Sequence, residues 1–317
     1  MKVVVIGAGA WGTAFAHLLA RHDHEVTLAA RDPALSRVID ETGENPRYHP
    51  GIKLGVAGAT IAEAPVAGAD LVCVAVPSRV FGEVVAGLPG SAPVLSLSKG
   101  LDPATGSRLS ALVTGRPVAV LSGPNFAAEV VAGKPFASVV ASSDRDLGRR
   151  LQHALISGTF RVYLNTDVLG VELCGAAKNV MALAAGVVDG LELGDNAKAA
   201  MLTRGLAEMT RLGTAAGARP ETFSGLAGMG DLVVTGWSHL SRNRREGELI
   251  ARGSDPTAAA TTIGSTVESL TTAPALARLA SRLGVDLPIT DAVSRVLGGE
   301  DPGDLIVHLM ARPPSEE

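Results

Sequence analysis

Residues 2–12 read KVVVIGAGAWG, and this stretch decides the fold of the first half of the chain. Its first five residues form a β-branched, apolar run, which is typical of a strand buried on both faces of a parallel sheet. Glycines follow at positions 7, 9 and 12, and the helical pattern TAFAHLLARH comes next. In this order, Gly7 is expected to make the tight turn, Gly9 to let the backbone approach a pyrophosphate, and Gly12 to let helix and strand pack closely. The amides at the helix N-terminus would hold the phosphates, so the stretch predicts dinucleotide binding.

The next strand carries the signal for cofactor choice. Residues 25–30 read EVTLAA, and the strand ends in Ala30, Arg31 and Asp32. A carboxylate at this tip would accept hydrogen bonds from the ribose hydroxyls and select NAD, whereas an arginine can hold the 2′-phosphate of NADP. Arg31 could also be an ordinary surface residue. We expect NADP or NAD as cofactor, with NADPH favoured.

Further apolar runs predict the rest of a doubly wound parallel sheet. They lie at residues 70–76, 94–98, 118–121, 137–141 and 160–163. Ser78, Lys99 and the Ser122–Gly123 turn follow three of these runs. Ligands bind beyond the carboxyl ends of parallel strands, so we expect these residues to share one rim and Lys99 to be functional rather than an ordinary surface lysine.

From residue 165 onward, helical periodicity replaces the β-branched runs. Lys178 and Asn179 interrupt an otherwise apolar, Ala-rich helix within residues 171–204. Such a pair is costly to bury unless it has polar partners, and the alternative is a lysine that snorkels to solvent. The sequence therefore predicts an α/β protein, with an N-terminal Rossmann-type domain over residues 1–164 and an all-helical domain over residues 165–317.

Two later stretches of the helical half carry polar groups. A tight, glycine-rich loop is expected to hold Asp231, and Ser241, Arg242 and Asn243 lie near a helix start. An arginine with serine and asparagine donors suits a phosphate group. The alternative for RNRRE is a solvated basic turn.

Composition excludes several classes of protein. The chain has 317 residues, 46% hydrophobic and 19% charged, with a net charge of −4. This charge does not point to nucleic acid, and Cys73 and Cys174 have the spacing of no metal site. The N-terminus has no signal-peptide pattern, and no apolar stretch is expected to cross a bilayer. We expect a soluble, cytoplasmic protein without metal, nucleic-acid partner or membrane insertion.

Five blocks of sequence resemble a known family. In order along roughly residues 6–270, they read GAGAWGTAFA, SLSKGL, SGPNFAAE, ELCGAAKNVMALAAGVVDGLELGDNAKAAMLTRGLAEM and GLAGMGDLVVTGWSHLSRNRREG. These blocks resemble the signatures of bacterial NAD(P)-dependent sn-glycerol-3-phosphate dehydrogenases. The resemblance implies reversible reduction of dihydroxyacetone phosphate to sn-glycerol 3-phosphate, for glycerophospholipid synthesis, in a cleft between the two domains. It also implies a possible homodimer.

The resemblance also assigns roles to individual residues. Lys178 corresponds to the general acid/base, and Asp231 would orient the site. The substrate residues implied are Lys99, Gly123, Asn125, Lys178, Asp231, Ser241, Arg242 and Asn243. The cofactor residues, which include those of the glycine turn, are Gly7, Gly9, Ala10, Trp11, Gly12, Arg31, Tyr48, Lys99, Ala127, Arg242, Val267 and Glu268.

The chain departs from the family pattern in places. Asn125 stands where many members have a small hydroxyl residue, Trp237 lies in a stretch usually filled by small residues, and TVESL differs from the commoner VEGV. Two alternatives stay open: a β-hydroxyacid or ketopantoate-type dehydrogenase with related domains, and a non-catalytic dinucleotide sensor. The sensor would be expected to lack Lys178 or Asp231, and this chain has both.

Overall fold

The structure is a computed structural model that describes residues 1–264 and 268–311. The described chain divides into two compact units. Unit 1 comprises residues 1–102 and 107–172, and unit 2 comprises residues 103–106 and the chain from residue 173 onward. The main division, between residues 172 and 173, falls a few residues after the boundary expected between residues 164 and 165. It lies inside the continuous helix Val168–Gly190.

An eight-stranded sheet forms the centre of unit 1 in the described part of the chain. Its strands are β1 Lys2–Ile6, β2 Glu25–Ala30, β3 Ala57–Thr60, β4 Leu71–Val74, β5 Val94–Ser96, β6 Val118–Ser122, β7 Phe136–Ala141 and β8 Phe160–Asn165. They lie in the order β3-β2-β1-β4-β5-β6-β7-β8. The chain order reverses between β1 and β4, which is the switch point where such sheets bind ligands.

The strand direction corrects one sequence expectation. Strands β1 to β6 pair in parallel, but β6 and β7 are antiparallel, with Leu121 opposite Val140. Strand β8 then pairs in parallel with β7. The sheet is therefore mostly rather than wholly parallel. Strand β3, with the sequence AGAT, was not predicted because it lacks the large apolar residues of its neighbours.

Helices cover both faces of this sheet. They are α1 Ala10–Ala20, α2 Pro33–Thr42, α3 Ser78–Ala86, α4 Ala127–Val131 and α5 Arg145–Leu155. Val3 and Val5 of β1 belong to the hydrophobic cluster that contains Phe15 of α1. Val4 and Ile6 belong to a second cluster that contains Phe81 of α3. Alternate side chains of β1 are thus buried on opposite faces, as the continuous apolar run predicts.

Helix α6, Val168–Gly190, contains the unit boundary and carries the long apolar run. By length and composition alone it could cross a membrane, and its apolar window is wholly buried inside the protein. The expectation that no stretch is long enough is therefore corrected. A buried core helix passes the same test, so this helix is weak evidence for a membrane span.

The remaining described α-helices belong to unit 2. They are α7 Gly194–Ala215, α8 Pro220–Phe223, α9 Asp231–Trp237, α10 Arg242–Ala251, α11 Pro256–Ile263, α12 Ser269–Leu283, α13 Pro288–Leu297 and α14 Pro302–Met310. Helices α6 and α10 approach closely, because a Cβ at Gly186 would meet the carbonyl of Arg244 and a Cβ at Gly247 would meet that of Leu183. This approach brings polar residues on α10 against the middle of α6.

Candidate active site

The glycine turn after β1 has the geometry that its sequence predicts. Gly7 has a φ of 108°, and a Cβ there would meet the carbonyl oxygen of Ala75. A Cβ at Gly12 would meet the carbonyl of Gly7, so helix and turn pack with no room for a side chain. At Gly9 a Cβ would meet no atom within 4 Å, which leaves open space beside the backbone. This space lies next to helix-terminal amides that receive no side-chain cap, an arrangement that favours binding of a phosphate group.

A buried asparagine braces this turn from behind. Asn45 donates to the carbonyl of Ala8 at 3.0 Å and to Oγ1 of Thr13 at 2.9 Å. Its own Oδ1 accepts from the amides of Arg47 and Tyr48. Asn45, which was not identified from the sequence, holds the backbone of the predicted cofactor residue Tyr48 relative to the turn. Satisfied buried networks of this kind make a local structure rigid.

The two charged residues that follow β2, Arg31 and Asp32, have different surroundings. Asp32 caps α2, with Oδ1 accepting from the amide of Ala34 at 3.0 Å, and Oδ2 lies 3.2 Å from Nη2 of Arg47. These contacts hold the pKa of Asp32 below its ordinary value, with the backbone amide of Ala34 as the largest cause. Arg31 is exposed. The carboxylate is thus engaged locally, and two arginines stand at the strand tip.

Lys99 and the turn after β6 meet on the predicted rim. The Nζ atom of Lys99 donates to the carbonyl of Gly123 and to Oδ1 of Asn125, each at 3.1 Å. Gly123 has a φ of 144°, and a Cβ there would lie 2.9 Å from the Cα of Ser138. Asn125, which replaces the small hydroxyl residue of the family pattern, thus accepts a hydrogen bond from Lys99. Lys99 is held beside this turn.

Lys178 is buried in unit 2 and paired with a carboxylate. Its side chain is 8% exposed, and Nζ lies 3.1 Å from Oδ1 of Asp231. It also donates to Oγ1 of Thr235 at 2.9 Å, while that hydroxyl lies 3.1 Å from Asp231 Oδ1. The snorkelling alternative is therefore wrong. Three polar groups converge in a place where an unpaired ammonium would be strongly destabilising.

The local structure around Asp231 differs from the loop that the sequence predicts. A π-helical turn, Leu226–Gly230, leads directly into α9, of which Asp231 is the first residue. Thr235 lies one helical turn later, on the same face of α9 as Asp231. Thr235 was not identified from the sequence, because the glycines of this segment indicated a loop instead of a helix. Its spacing of four from Asp231 is the signal that could have found it.

A second polar line joins α6, α10 and α12 beside the pair. Asn243 donates from Nδ2 to Oδ1 of Asn179 at 3.0 Å, and its own Oδ1 accepts from the amide of Ser269 at 3.3 Å. The hydroxyl of Ser269 donates to Oε2 of Glu246 at 2.6 Å. Glu246 and Ser269 were not identified from the sequence. Asn179 follows Lys178 in α6, so one end of this line lies on the helix that carries the buried lysine.

The phosphate-type cluster adopts a helix start, as predicted. Ser241 caps α10 by accepting from the amide of Arg244 at 3.2 Å, so its hydroxyl has a local structural role. Arg242 is the first residue of α10 and is exposed. Trp237 is 47% exposed and lies over the buried ammonium of Lys198, which is 4.8 Å from its ring centroid. The unusual tryptophan therefore has a partner within unit 2.

For the other predicted cofactor residues, the structure gives the local position in the chain and little more. Trp11 packs on Phe15 with ring centroids 5.5 Å apart, and its Nε1 is buried with no hydrogen-bond partner in the described part of the chain. Ala127 begins α4, and Glu268 precedes α12. Val267 lies outside the described residues. Within residues 1–264 and 268–311, no cluster of three or more His, Cys, Asp or Glu could hold a metal ion.

The open glycine turn at a switch point, with a buried lysine and carboxylate pair in a helical unit, defines the class of two-domain NAD(P)-dependent oxidoreductases. Comparison with known families agrees. The model of the NAD-dependent glycerol-3-phosphate dehydrogenase N-terminus matches residues 2–148, and that of the C-terminus matches residues 167–307. The chain belongs to the NAD-dependent glycerol-3-phosphate dehydrogenase family.

Individual relatives match over nearly the whole chain. A glycerol-3-phosphate dehydrogenase (NAD(P)+) of Stenotrophomonas maltophilia is 46% identical, over 98% of this chain and 95% of its own. One of Nitratidesulfovibrio vulgaris is 46% identical, over all of both chains. The crystal structure of glycerol-3-phosphate dehydrogenase from Coxiella burnetii is 36% identical, with a TM-score of 0.93 over 98% of this chain and 99% of that one.

Proposed function

We propose that this chain reduces dihydroxyacetone phosphate to sn-glycerol 3-phosphate with NAD(P)H, reversibly, and that Lys178 is its general acid/base. One observation carries the assignment of Lys178. Its ammonium is buried and held by Asp231 at 3.1 Å and by Thr235 at 2.9 Å. A buried, oriented proton donor is what reduction of a ketone requires.

When bound in unit 1, the reduced nicotinamide would supply the hydride that C2 of the ketone receives. Negative charge then develops on the carbonyl oxygen, and Lys178 stabilises that charge and donates the proton. In the reverse direction, the neutral amine accepts the hydroxyl proton. Asp231 and Thr235 hold Nζ in one place, which limits the motion of the donor between turnovers.

Unit 1 supplies the cofactor site. The open backbone at Gly9 and the amides at the start of α1 suit the pyrophosphate. Trp11 lies in the first turn of α1, and the backbone of Tyr48 is linked to the glycine turn through Asn45. Arg31 is exposed at the tip of β2, where a 2′-phosphate would lie. Because Asp32 is already engaged by Ala34 and Arg47, we propose that NADPH is preferred over NADH.

Several donors are proposed to hold the substrate phosphate. Arg242 has a guanidinium that can make two parallel hydrogen bonds to phosphate oxygens, and Asn243 adds an amide donor of fixed direction. Lys99 and the amide of Gly123 lie at the rim of the sheet in unit 1, and the family resemblance assigns them to the substrate as well. Binding of the substrate phosphate by these donors would position C2 for hydride transfer.

Family membership also supports proposals on the cellular role. The product would feed glycerophospholipid synthesis, and the chain would act in the cytoplasm. A homodimer is proposed as the working assembly. Size-exclusion chromatography with light scattering measures that assembly directly.

An initial-rate assay tests the proposed function. Purified protein is given dihydroxyacetone phosphate with NADPH or NADH, and absorbance at the reduced-nicotinamide band is followed. Ketopantoate and β-keto acids serve as the alternative substrates. Turnover confined to the phosphorylated ketone is the expected result, whereas turnover of a carboxylated substrate alone, or none at all, would reject it.

A further inference from the structure

Helix α10 makes two hydrogen bonds to Ser269, the first residue of α12. Asn243 and Glu246 are three residues apart on α10, so they lie on the same face of the helix. Oδ1 of Asn243 accepts from the amide of Ser269, and Oε2 of Glu246 accepts from its hydroxyl. Ser269 is the first residue of α12, so its amide is one of the donors that a helix start leaves without an intrahelical partner.

Glu246 is a costly residue in this position. It is 0% exposed, and its second oxygen, Oε1, has no hydrogen-bond partner in the described part of the chain. Burial raises the pKa of this carboxyl to about 7, against the opposing effect of the Ser269 hydroxyl. An apolar side chain would pack here without these costs. The acceptor oxygen that contacts Ser269 is therefore the feature that distinguishes Glu246 from an apolar residue.

The hydrogen bond from the Ser269 amide fixes the direction of the Asn243 side-chain amide. With Oδ1 directed at the Ser269 amide, Nδ2 lies 3.0 Å from Oδ1 of Asn179, the residue that follows Lys178 in α6. If Ser269 moved, Oδ1 would lose its donor and the amide could rotate. Nδ2 would then no longer be held in the direction that the proposed phosphate contact needs.

We propose that Glu246 is a positioning residue, which holds Ser269 so that Asn243 presents its amide nitrogen to the substrate phosphate. The inference rests on the proposed function in one respect, namely that Asn243 contacts this phosphate. Glu246 itself touches neither substrate nor cofactor. Its effect should therefore appear in the KM for dihydroxyacetone phosphate rather than in the KM for NADPH.

Steady-state kinetics of matched variants test this. Glu246→Leu keeps the volume and removes the acceptor, whereas Glu246→Gln keeps an acceptor oxygen for the Ser269 hydroxyl. We expect Glu246→Leu and Ser269→Ala to raise the KM for dihydroxyacetone phosphate about tenfold, the equivalent of one hydrogen bond. Glu246→Gln should restore a KM near that of the wild type. Thr272→Val is the control, because it removes a buried hydroxyl without a described partner one turn later on α12.

A double-mutant cycle decides whether Glu246 acts through Asn243. If it does, Glu246→Leu raises KM in the wild type but not in the Asn243→Ala background. Equal rises in both backgrounds, an unchanged KM in Glu246→Leu, or an equal rise in Thr272→Val would overturn the proposal. If Glu246→Leu fails to fold, Ser269→Ala decides, since a wild-type KM in that variant is equally contradictory. A wild type that does not turn over dihydroxyacetone phosphate would instead overturn the proposed function, and this inference with it.

Discussion

The Nζ atom of Lys178 lies 3.1 Å from Oδ1 of Asp231, and both side chains are almost completely buried. A buried pair gains little net stability over packed apolar residues, because desolvation opposes the attraction between the charges. The arrangement is therefore better explained by chemistry than by stability. It places a proton donor, an anion and the hydroxyl of Thr235 within hydrogen-bond distance of one another.

Replacing Lys178 should abolish most of the chemistry. Lys178→Met is expected to lower kcat by a factor of about 10² to 10⁴, the usual contribution of a general acid/base. Stopped-flow and steady-state rates measure kcat, and fluorescence titration measures the Kd of NADPH, which should not change because the cofactor turn lies in unit 1.

Lys198 offers a matched control for Lys178. It is also buried and paired with a carboxylate, at 2.8 Å from Asp189. Lys198→Met should lower the free energy of unfolding but leave kcat near the wild-type value. A Lys178→Met enzyme with wild-type turnover, or equal losses of kcat in both variants, would contradict the assignment.

Thr235 should support the lysine through its hydroxyl. Thr235→Val keeps the shape and removes the hydrogen bond, so kcat should fall about tenfold. Thr235→Ser keeps the hydroxyl and should stay close to the wild type. If Val and Ser variants have the same kcat, the methyl group rather than the hydroxyl matters and the role is structural.

Arg242 should act on substrate binding. Arg242→Ala is expected to raise the KM for dihydroxyacetone phosphate at least about tenfold, because a charge-assisted contact to phosphate is lost. Arg252, at the far end of the same helix, is the control, since it pairs with Glu248. A KM that does not differ between the two alanine variants would refute the phosphate contact.

Arg31 should set cofactor preference. In Arg31→Ala, the ratio of kcat/KM for NADPH over NADH should fall about tenfold, because the 2′-phosphate loses a cation. Arg37, exposed on α2, serves as the control. An unchanged ratio in Arg31→Ala would remove Arg31 from the site.

Glu246 should make stability depend on pH. Burial raises the pKa of its carboxyl to about 7 in the folded protein, whereas an unfolded glutamate has an ordinary pKa of about 4.3. Between these values the folded state binds more protons, so the stabilising contribution is complete below the lower value and is lost as the pH rises through the upper one. Urea unfolding should show Glu246→Gln gaining about 3 to 4 kcal/mol on the wild type between pH 4 and pH 8. Parallel stability curves would contradict this shift.

Local sterics explain why much of the cofactor half could be predicted. Gly12 packs against the carbonyl of Gly7 within the same turn, so its need for glycine is local, whereas the carbonyl that excludes a Cβ at Gly7 belongs to Ala75, far along the chain. The apolar run of β1 likewise predicted burial on both faces. By contrast, the antiparallel direction of β7 could not be predicted, since an apolar run favours a strand without specifying its direction.

The sequence by itself determined the elements whose causes are local: the glycine turn, the succession of strands, the helical second half and the start of α10 at Arg242. Only the tertiary structure decided the state of Lys178, because Asp231 is 53 residues away in the chain and no periodicity specifies their distance. The same holds for Glu246 and Ser269, 23 residues apart. Hydrogen bonds and ion pairs depend on ångström-scale separations between side chains of different elements, and those separations are set by how the helices pack.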